Sequence, residues 1–564
     1  MKSLLLALIP FLAPADAELD QARAELKKAI AELTGPTVST AGGRLASAIG
    51  SAADRLAAIE QKAATDALFE GYGKCAVAIK ALWTDKVRHL QEREANGDFK
   101  IDFKTNPPSI PASDVAKYQR FLEADKNSKA AEAKIGVFEN SKRHIVRALA
   151  KSKGDAAVKV LVHEITAGSD WQRRAAAAEA MGQISHKDVP PALLDALKKD
   201  GEPAVRIAVL DALRELKLTT PEAVAAVVAQ LQSDYWQLKA GAAQALVAMG
   251  AISAVEPLID ALSKSDGRLR VEFNEALAAL TGVNRHGDPA AWKTWFEENR
   301  EAISKGTYAK KAADSAGAPG KNATTTFYGI PVESKSIIFV LDRSGSMMEP
   351  SDWDDSKESV ASGGGPSAGP EIKKGGDRKI DIARWQLKKA IAQLPEGTEF
   401  NVIFFAHEVV NLSDKMLKIS ASTRKQAFDW IDKLEPFGGT NPFDALERAL
   451  AYVAGGITGE KLQKSGVDTI CLVTDGLPTA GQVADPTEIV ERIKTLNKNR
   501  KVKIHTVGVF SVSKGAAAVQ EQKDRELGLK FLKQLAEDSG GKFTGSGIKD
   551  EPKKPEEPKK PDEK

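Results

Sequence analysis

One frame, repeated four times in phase, constrains this chain more than any other feature. Arg174, Ala180-Met181 and Ile184 recur as Arg206, Ala212-Leu213 and Leu216. The set returns as Lys239, Ala245-Leu246 and Met249, then as Arg270, Ala276-Leu277 and Leu280. Lys142 with Ala148-Leu149 opens a weaker copy, and the period is 31–33 residues. Such a period holds two short helices, neither of which can bury its apolar face alone; stacking the units makes one continuous core. Alanine at a fixed place lets paired helices approach, while Leu, Met and Ile fill the gap between units. The partner helices fall at 191–198, 221–232 and 255–263, and Asp170, Asp234 and Asp266 stand where N-caps belong. An α-solenoid follows. The recurring Arg or Lys fits either a line along one face of the curve or a set of solvated helix ends.

The frame resembles the short variety of HEAT repeat, and the solenoid is expected over residues 129–300. Pro289-Ala290-Ala291-Trp292-Lys293-Thr294-Trp295-Phe296 ends it with large aromatics that can cover the last unit. Residues 18–128 read as a separate helical region, with Leu19, Leu26, Ile30 and Leu33 on one face and Gly35-Pro36 as a stop. Residues 1–17 read as an export signal: Lys2, an apolar run from Leu4 to Leu12, and Ala15-Asp16-Ala17 before Glu18. The chain is therefore expected outside the cytoplasm, periplasmic or secreted. No later run is long and apolar enough for an integral membrane segment. Residues 301–332, rich in Ala, Gly, Lys and Ser, read as a flexible linker. Residues 548–564 cannot bury a core and read as a disordered charged tail.

Charge excludes one partner class. The 80 basic and 77 acidic residues leave a formal balance of +3, which gives no electrostatic case for nucleic acid. Cys75 and Cys471 are the only cysteines, one in a helical pattern and one in a strand, so both read as buried apolar residues rather than a bridge.

From 333 to 547 the pattern changes to strands alternating with helices. Strands are expected at 336–341, 399–406, 408–412, 468–474, 503–509 and 542–544, with helices at 380–394, 423–434, 441–453, 486–497 and 528–538. Most strands are near-continuous apolar runs, as in a sheet covered on both faces, so this part is a doubly wound α/β domain. Ligands in such sheets bind beyond the carboxyl ends of the strands. Asp342-Arg343-Ser344-Gly345-Ser346 leaves the first strand there, Asp475 ends a second apolar strand, and Thr440 follows Gly438-Gly439 on a turn before a helix. Asp342, Ser344, Ser346, Thr440 and Asp475 are five hard oxygen donors, the ligand type that suits a Mg²⁺-like ion.

The Asp-x-Ser-x-Ser triplet, the Gly-Gly-Thr turn and the Thr-Asp-Gly strand end, in that order, resemble the metal-ion-dependent adhesion site of a von Willebrand factor type A (VWA) domain. The resemblance implies Mg²⁺ (or Mn²⁺) held by the three hydroxyls directly or through water and by the carboxylates largely through water. It also implies an open coordination position for a partner's Asp or Glu. Between this loop and the next helix lies an insertion, 349–377, with Glu349, Asp352, Asp354, Asp355 and Glu358 around Trp353. The insertion reads either as a solvated loop or, with one of these carboxylates as a tethered ligand, as a gate on the site.

No catalytic set appears: the seven histidines show no His-Glu-x-x-His spacing, no nucleotide-binding Gly-x-x-x-x-Gly-Lys-Ser/Thr loop is present, and no base accompanies the loop serines. The expected protein is an exported, non-enzymatic adhesion-type binder. One partner presents an acidic group to the metal, and a second protein partner sits on the solenoid. Two other readings fit the motifs: a VWA subunit presenting substrate to a larger metal-dependent or ATPase complex, and a secreted hydrolase with an unrecognised site. The export signal opposes the first.

Overall fold

The computed structural model describes residues 14–34, 38–59, 61–98, 100, 110–310, 325–351, 353, 372, 374–452, 462–464, 466–510 and 518–545. The expected leader core, the charged tail and most carboxylates of the 349–377 insertion lie outside these. Among the described residues the fold is all-α in its first half and α/β in its second.

Long helices come first: α1 (Pro14–Leu33), α2 (Val38–Ala58), α3 (Lys62–Ala95) and α4 (Val115–Lys151). Leu19, Leu26, Ile30 and Leu33, spaced at three, four and seven along α1, are all buried. The boundary drawn at 129 falls inside α4, which runs unbroken from the N-terminal bundle into the first solenoid layer. The solenoid continues as α5 (Asp155–Ala167), α6 (Trp171–Met181), α7 (Val189–Lys199), α8 (Pro203–Leu216) and α9 (Pro221–Ala229). It ends with α10 (Trp236–Ala248), α11 (Val255–Ser263), α12 (Gly267–Thr281) and α13 (Pro289–Ser304). The frame alanines Ala180, Ala212, Ala245 and Ala276 are buried where the row α6, α8, α10, α12 packs side by side. On α13, Trp292 is fully buried, its indole N–H donates to Asn274 at 2.9 Å, and it meets Trp295 edge-on at 5.6 Å.

Two expectations about the repeat change. In three of the four copies the recurring basic residue ties layers together. Arg174 grips Asp200 at 2.7 and 3.1 Å and the Gly168 carbonyl at 3.0 Å. Arg206 reaches Gln230, and Arg270 donates to the Gly287 carbonyl at 3.1 Å. Of the three aspartates read as caps, Asp170 caps α6 through the Gln172 N–H at 2.7 Å. Asp234 and Asp266 instead pair with Lys464 and Lys335 at 2.6 Å each, lysines more than sixty residues downstream in the α/β half.

That half begins with a hairpin, β1 (Thr326–Phe327) and β2 (Ile330–Pro331), within the stretch read as linker. Phe327, Tyr328, Ile330 and Val332 are buried against Phe339 and neighbours, because four large apolar residues within six positions outweigh the linker composition around them. Then follow β3 (Ser336–Asp342), α14 (Lys379–Gln393), β4 (Glu399–Phe405), β5 (Val409–Asn411), β6 (Leu417–Lys418), α15 (Ala421–Ile431) and α16 (Pro442–Ala451). The chain closes with β7 (Thr469–Thr474), α17 (Pro486–Asn497), β8 (Lys503–Gly508), α18 (Ala518–Ser539) and β9 (Phe543–Gly545). The sheet order is β5-β4-β3-β7-β8-β9, parallel from β4 to β9, with β5 and β6 antiparallel to β4. Alternate residues of β3 feed two cores. Ile337, Phe339 and Leu341 join α14, α15 and the hairpin, while Ile338 and Val340 join α16, α17 and α18. Trp83 of α3 and Ile135 of α4 enter the second core, so the helical bundle completes one face of the sheet.

The α/β half is seated on the α6–α12 row. Lys501 binds Asp211 at 2.8 Å, Lys503 binds Glu272 at 3.2 Å, Lys498 pairs with Glu179, and Arg268 donates to the Asp468 carbonyl. Deeper in the same seam, Lys86 lies between Glu132 (2.6 Å) and Glu447 (2.6 Å), and Arg492 pairs with Glu132 and with Glu139 at 3.1 Å. All five are buried, and burial pushes the Glu447 carboxyl up to about 7 in spite of Lys86.

Candidate functional site

The chain leaves β3 toward one side of the sheet and enters β7 on the other, so the crevice for a ligand opens between their carboxyl ends. Asp342 is the last residue of β3 and is fully buried. Its Oδ1 accepts the Ser344 N–H at 2.7 Å, and its Oδ2 accepts the Thr474 hydroxyl at 2.6 Å. Ser344 and Ser346 hydroxyls stand 3.1 Å apart, and Ser346 donates to Asp475 Oδ1 at 2.9 Å. Asp475 follows β7 directly. Four of the five expected donors thus form one connected cluster.

Thr440 arrives from the third loop. Phe437 N–H donates to the Arg343 carbonyl at 2.8 Å and Gly345 N–H to the Gly438 carbonyl at 3.0 Å, which stitches the Gly-Gly-Thr turn to the serine loop. Gly438 has φ +74° and lies so close to His407 that a Cβ there would strike the ring. Thr440 is held by its own backbone: its N–H donates to Thr479 Oγ1 at 2.9 Å and its carbonyl accepts from Thr479 and Ala480. Asn441 then caps α16 by accepting the Asp444 N–H. The Thr440 hydroxyl stands 4.0 Å from the position a Cβ on Gly476 would take, next to Asp475.

The donor chemistry fits a hard cation. Two buried carboxylates, Asp342 and Asp475, share one pocket, and burial together with the Asp475 charge pushes Asp342 up to about 7. A divalent ion would relieve that conflict, with the Ser344, Ser346 and Thr440 hydroxyls as neutral oxygen donors. Among the described residues there is no group of three or more His, Cys, Asp or Glu that could hold a metal ion.

The sequence reading missed Lys379. This first residue of α14 is 3 % exposed, and its ammonium lies 2.8 Å from Asp475 Oδ2 and 2.7 Å from Glu349 Oε2. Burial opposes that charge, but Asp475 and Glu349 outweigh it and hold the ammonium above its usual range. Glu349, the only one of the five acidic residues around Trp353 that lies among the described residues, therefore lies on Lys379. Trp353 packs edge-on against Tyr328 at 4.7 Å. His407 packs edge-on against Phe437 at 4.8 Å beside the Gly-Gly-Thr turn, and Arg343 stacks on the same ring at 4.3 Å.

Comparison with known proteins agrees with this architecture. Residues 376–544 match the family model of the von Willebrand factor type A domain, and residues 158–247 and 190–278 match that of HEAT repeats. Inter-alpha-trypsin inhibitor heavy chain H4 of Homo sapiens is 26% identical over 213 residues, 38% of this chain and 18% of that protein. Heavy chain H2 of Mus musculus is 26% identical over 208 residues, 37% of this chain and 17% of that protein. The chain thus spans less than a fifth of these relatives. Among solved structures, a von Willebrand factor type A protein from Catenulispora acidiphila matches at 17% identity and TM-score 0.25, over 39% of this chain and 40% of that one. The RO (RSR) protein of Deinococcus radiodurans matches at 14% identity and TM-score 0.19, over 96% and 93%. This chain carries a VWA domain preceded by HEAT repeats.

Proposed function

We propose that the VWA domain holds a Mg²⁺-type ion on Asp342, Ser344, Ser346, Thr440 and Asp475 and captures an acidic side chain of a protein partner through it. The observation that carries this reading is the convergence of three loops, after β3, before α16 and after β7, on one all-oxygen cluster around two buried carboxylates. A bound ion would supply positive charge to a carboxylate arriving from outside; the loops hold the donors and exclude bulk water from Asp342. The role is one of binding, without catalysis. We place the protein outside the cytoplasm, in keeping with the leader-like N-terminus, and no helix among the described residues is long and apolar enough to cross a membrane.

The structure bears on the expected second partner. The α6–α12 row is covered by the chain's own VWA domain through Glu179, Asp211 and Glu272. A second protein would therefore bind elsewhere on the repeats or displace that domain. Calorimetric titration of Mg²⁺ and Mn²⁺ into the full chain tests the main reading, with Asp342→Ala as control. Binding in the parent that the substitution removes is the expected result; a full chain that takes up neither ion overturns it.

A further inference from the structure

Lys379 violates two structural preferences at once. Lysine is among the residues least often fully buried, and a cation at the first position of a helix faces the positive end of the macrodipole. Neither burial nor helix stability accounts for an ammonium at the start of α14. Two carboxylates offset both costs: Asp475 at 2.8 Å and Glu349 at 2.7 Å. Asp475 is one of the five oxygen donors. Its Oδ1 is taken by Ser346, so Lys379 holds the remaining oxygen.

We propose that Lys379 is a built-in counter-cation of the metal site, which competes with the divalent ion for Asp475 and sets how tightly that ion is held. The inference rests on the metal-site reading above. When no ion is bound, the ammonium neutralises Asp475 beside Asp342 and keeps the loops assembled. When an ion enters, its charge repels the ammonium, whose other partner is Glu349. Glu349 lies at the pinched base of the insertion: its carbonyl accepts the Lys379 N–H at 2.9 Å, Ser351 N–H donates to Asp377, and Pro350 bridges Arg378. Lys379 thus has two acidic partners, one in the site and one outside it, and the ion decides between them.

The geometry makes predictions of opposite sign for its two ends. Lys379→Met keeps the aliphatic stem and removes the competitor, so Mg²⁺ should bind at least about tenfold more tightly. Lys379→Arg keeps the charge and should stay close to the parent. Glu349→Gln removes the alternative partner, holds the ammonium on Asp475 and should weaken binding. The experiment is calorimetric titration of MgCl₂ into each full-length variant at one pH and ionic strength, with Asp342→Ala as the silent control. Thermal melts with EDTA and with Mg²⁺ accompany it. Lys379→Met should melt lower than the parent in EDTA and gain more from Mg²⁺ than the parent gains, a larger increment that a disturbed fold with unchanged affinity would not show.

Tighter binding in Lys379→Met than in the parent supports the proposal. Equal or weaker binding in Lys379→Met while the parent binds overturns it and leaves the metal site standing. Silence in every variant overturns the metal reading and this inference with it.

Discussion

At the scale of single residues, the site divides into what its chemistry announces and what only geometry reveals. Asp342, Ser344 and Ser346 stand two apart after an apolar run, so their gathering at one strand end can be read from the order of letters alone. Thr440 and Asp475 are legible because each ends a local signature. Lys379 carries no such mark: a lysine at the start of an amphipathic helix reads as a surface charge, and only the fold places it on Asp475. Thr440→Val keeps the side-chain shape and removes one hydroxyl. Calorimetry should find Mg²⁺ affinity lowered by about 10–100-fold, the range seen when groups supporting a metal are lost, with little change in the melting temperature of the ion-free protein. His505, in β8, makes a separate prediction. Burial pulls its pKa down to about 3, and its neutral Nδ1 accepts the Lys542 N–H at 2.9 Å. A folded pKa below the unfolded value means that the unfolded chain binds the extra proton. Stability is therefore complete above about pH 6.5 and falls as pH drops toward 3. Between pH 6.5 and 5 the parent should lose about 2 kcal/mol that His505→Asn does not, measured as the difference of their denaturation midpoints.

Among elements, the strands and helices of the VWA domain were the easiest to foresee, because apolar runs buried on both faces leave little ambiguity of period. The expected helix at 486–497 is α17, residue for residue. The hairpin of β1 and β2 was not foreseen; two strands of two residues carry no period at all. The first ten residues of α18 were missed for a related reason, since their charged composition resembles a solvated loop. α16 matters most among the elements because it joins two sites. Its N-terminus follows Thr440 and Asn441, and one face carries Glu447 into the buried pair with Lys86. Lys86→Met leaves Glu447 and Glu132 buried without their shared cation. Breaking one side of a buried ion pair costs about 3–5 kcal/mol, so urea unfolding should begin at markedly lower concentration. Adding Glu447→Gln to Lys86→Met should recover part of that loss, because an amide is less costly to bury than an unpaired carboxylate.

For the whole molecule, the repeat gave the solenoid and the strand pattern gave the VWA domain, but nothing in the letters joined the two. Glu179, Asp211 and Glu272 look like ordinary solvated helix charges until Lys498, Lys501 and Lys503 arrive from some 230 or more residues downstream. Lys498–Glu179 is exposed and worth at most about 1 kcal/mol, while Lys501–Asp211 and Lys503–Glu272 are largely shielded from solvent; their shared direction makes the three a positioning device. Reversing three of them together, Lys498→Glu, Lys501→Glu and Lys503→Glu, places like charges across the seam. Small-angle scattering should then show a larger radius of gyration, while circular dichroism keeps the helical signal. An unchanged radius would mean that the buried cluster alone holds the seam. That cluster has a consequence for how the chain comes into being. Lys86, Glu132 and Glu139 leave the ribosome more than 300 residues before Glu447 and Arg492, so the N-terminal half, with Lys86 paired to Glu132 but Glu139 still lacking Arg492, must keep this cluster wet until the C-terminal half exists. Neither half is a finished product by itself: the molecule behaves as an obligate heterodimer whose two subunits happen to share one backbone.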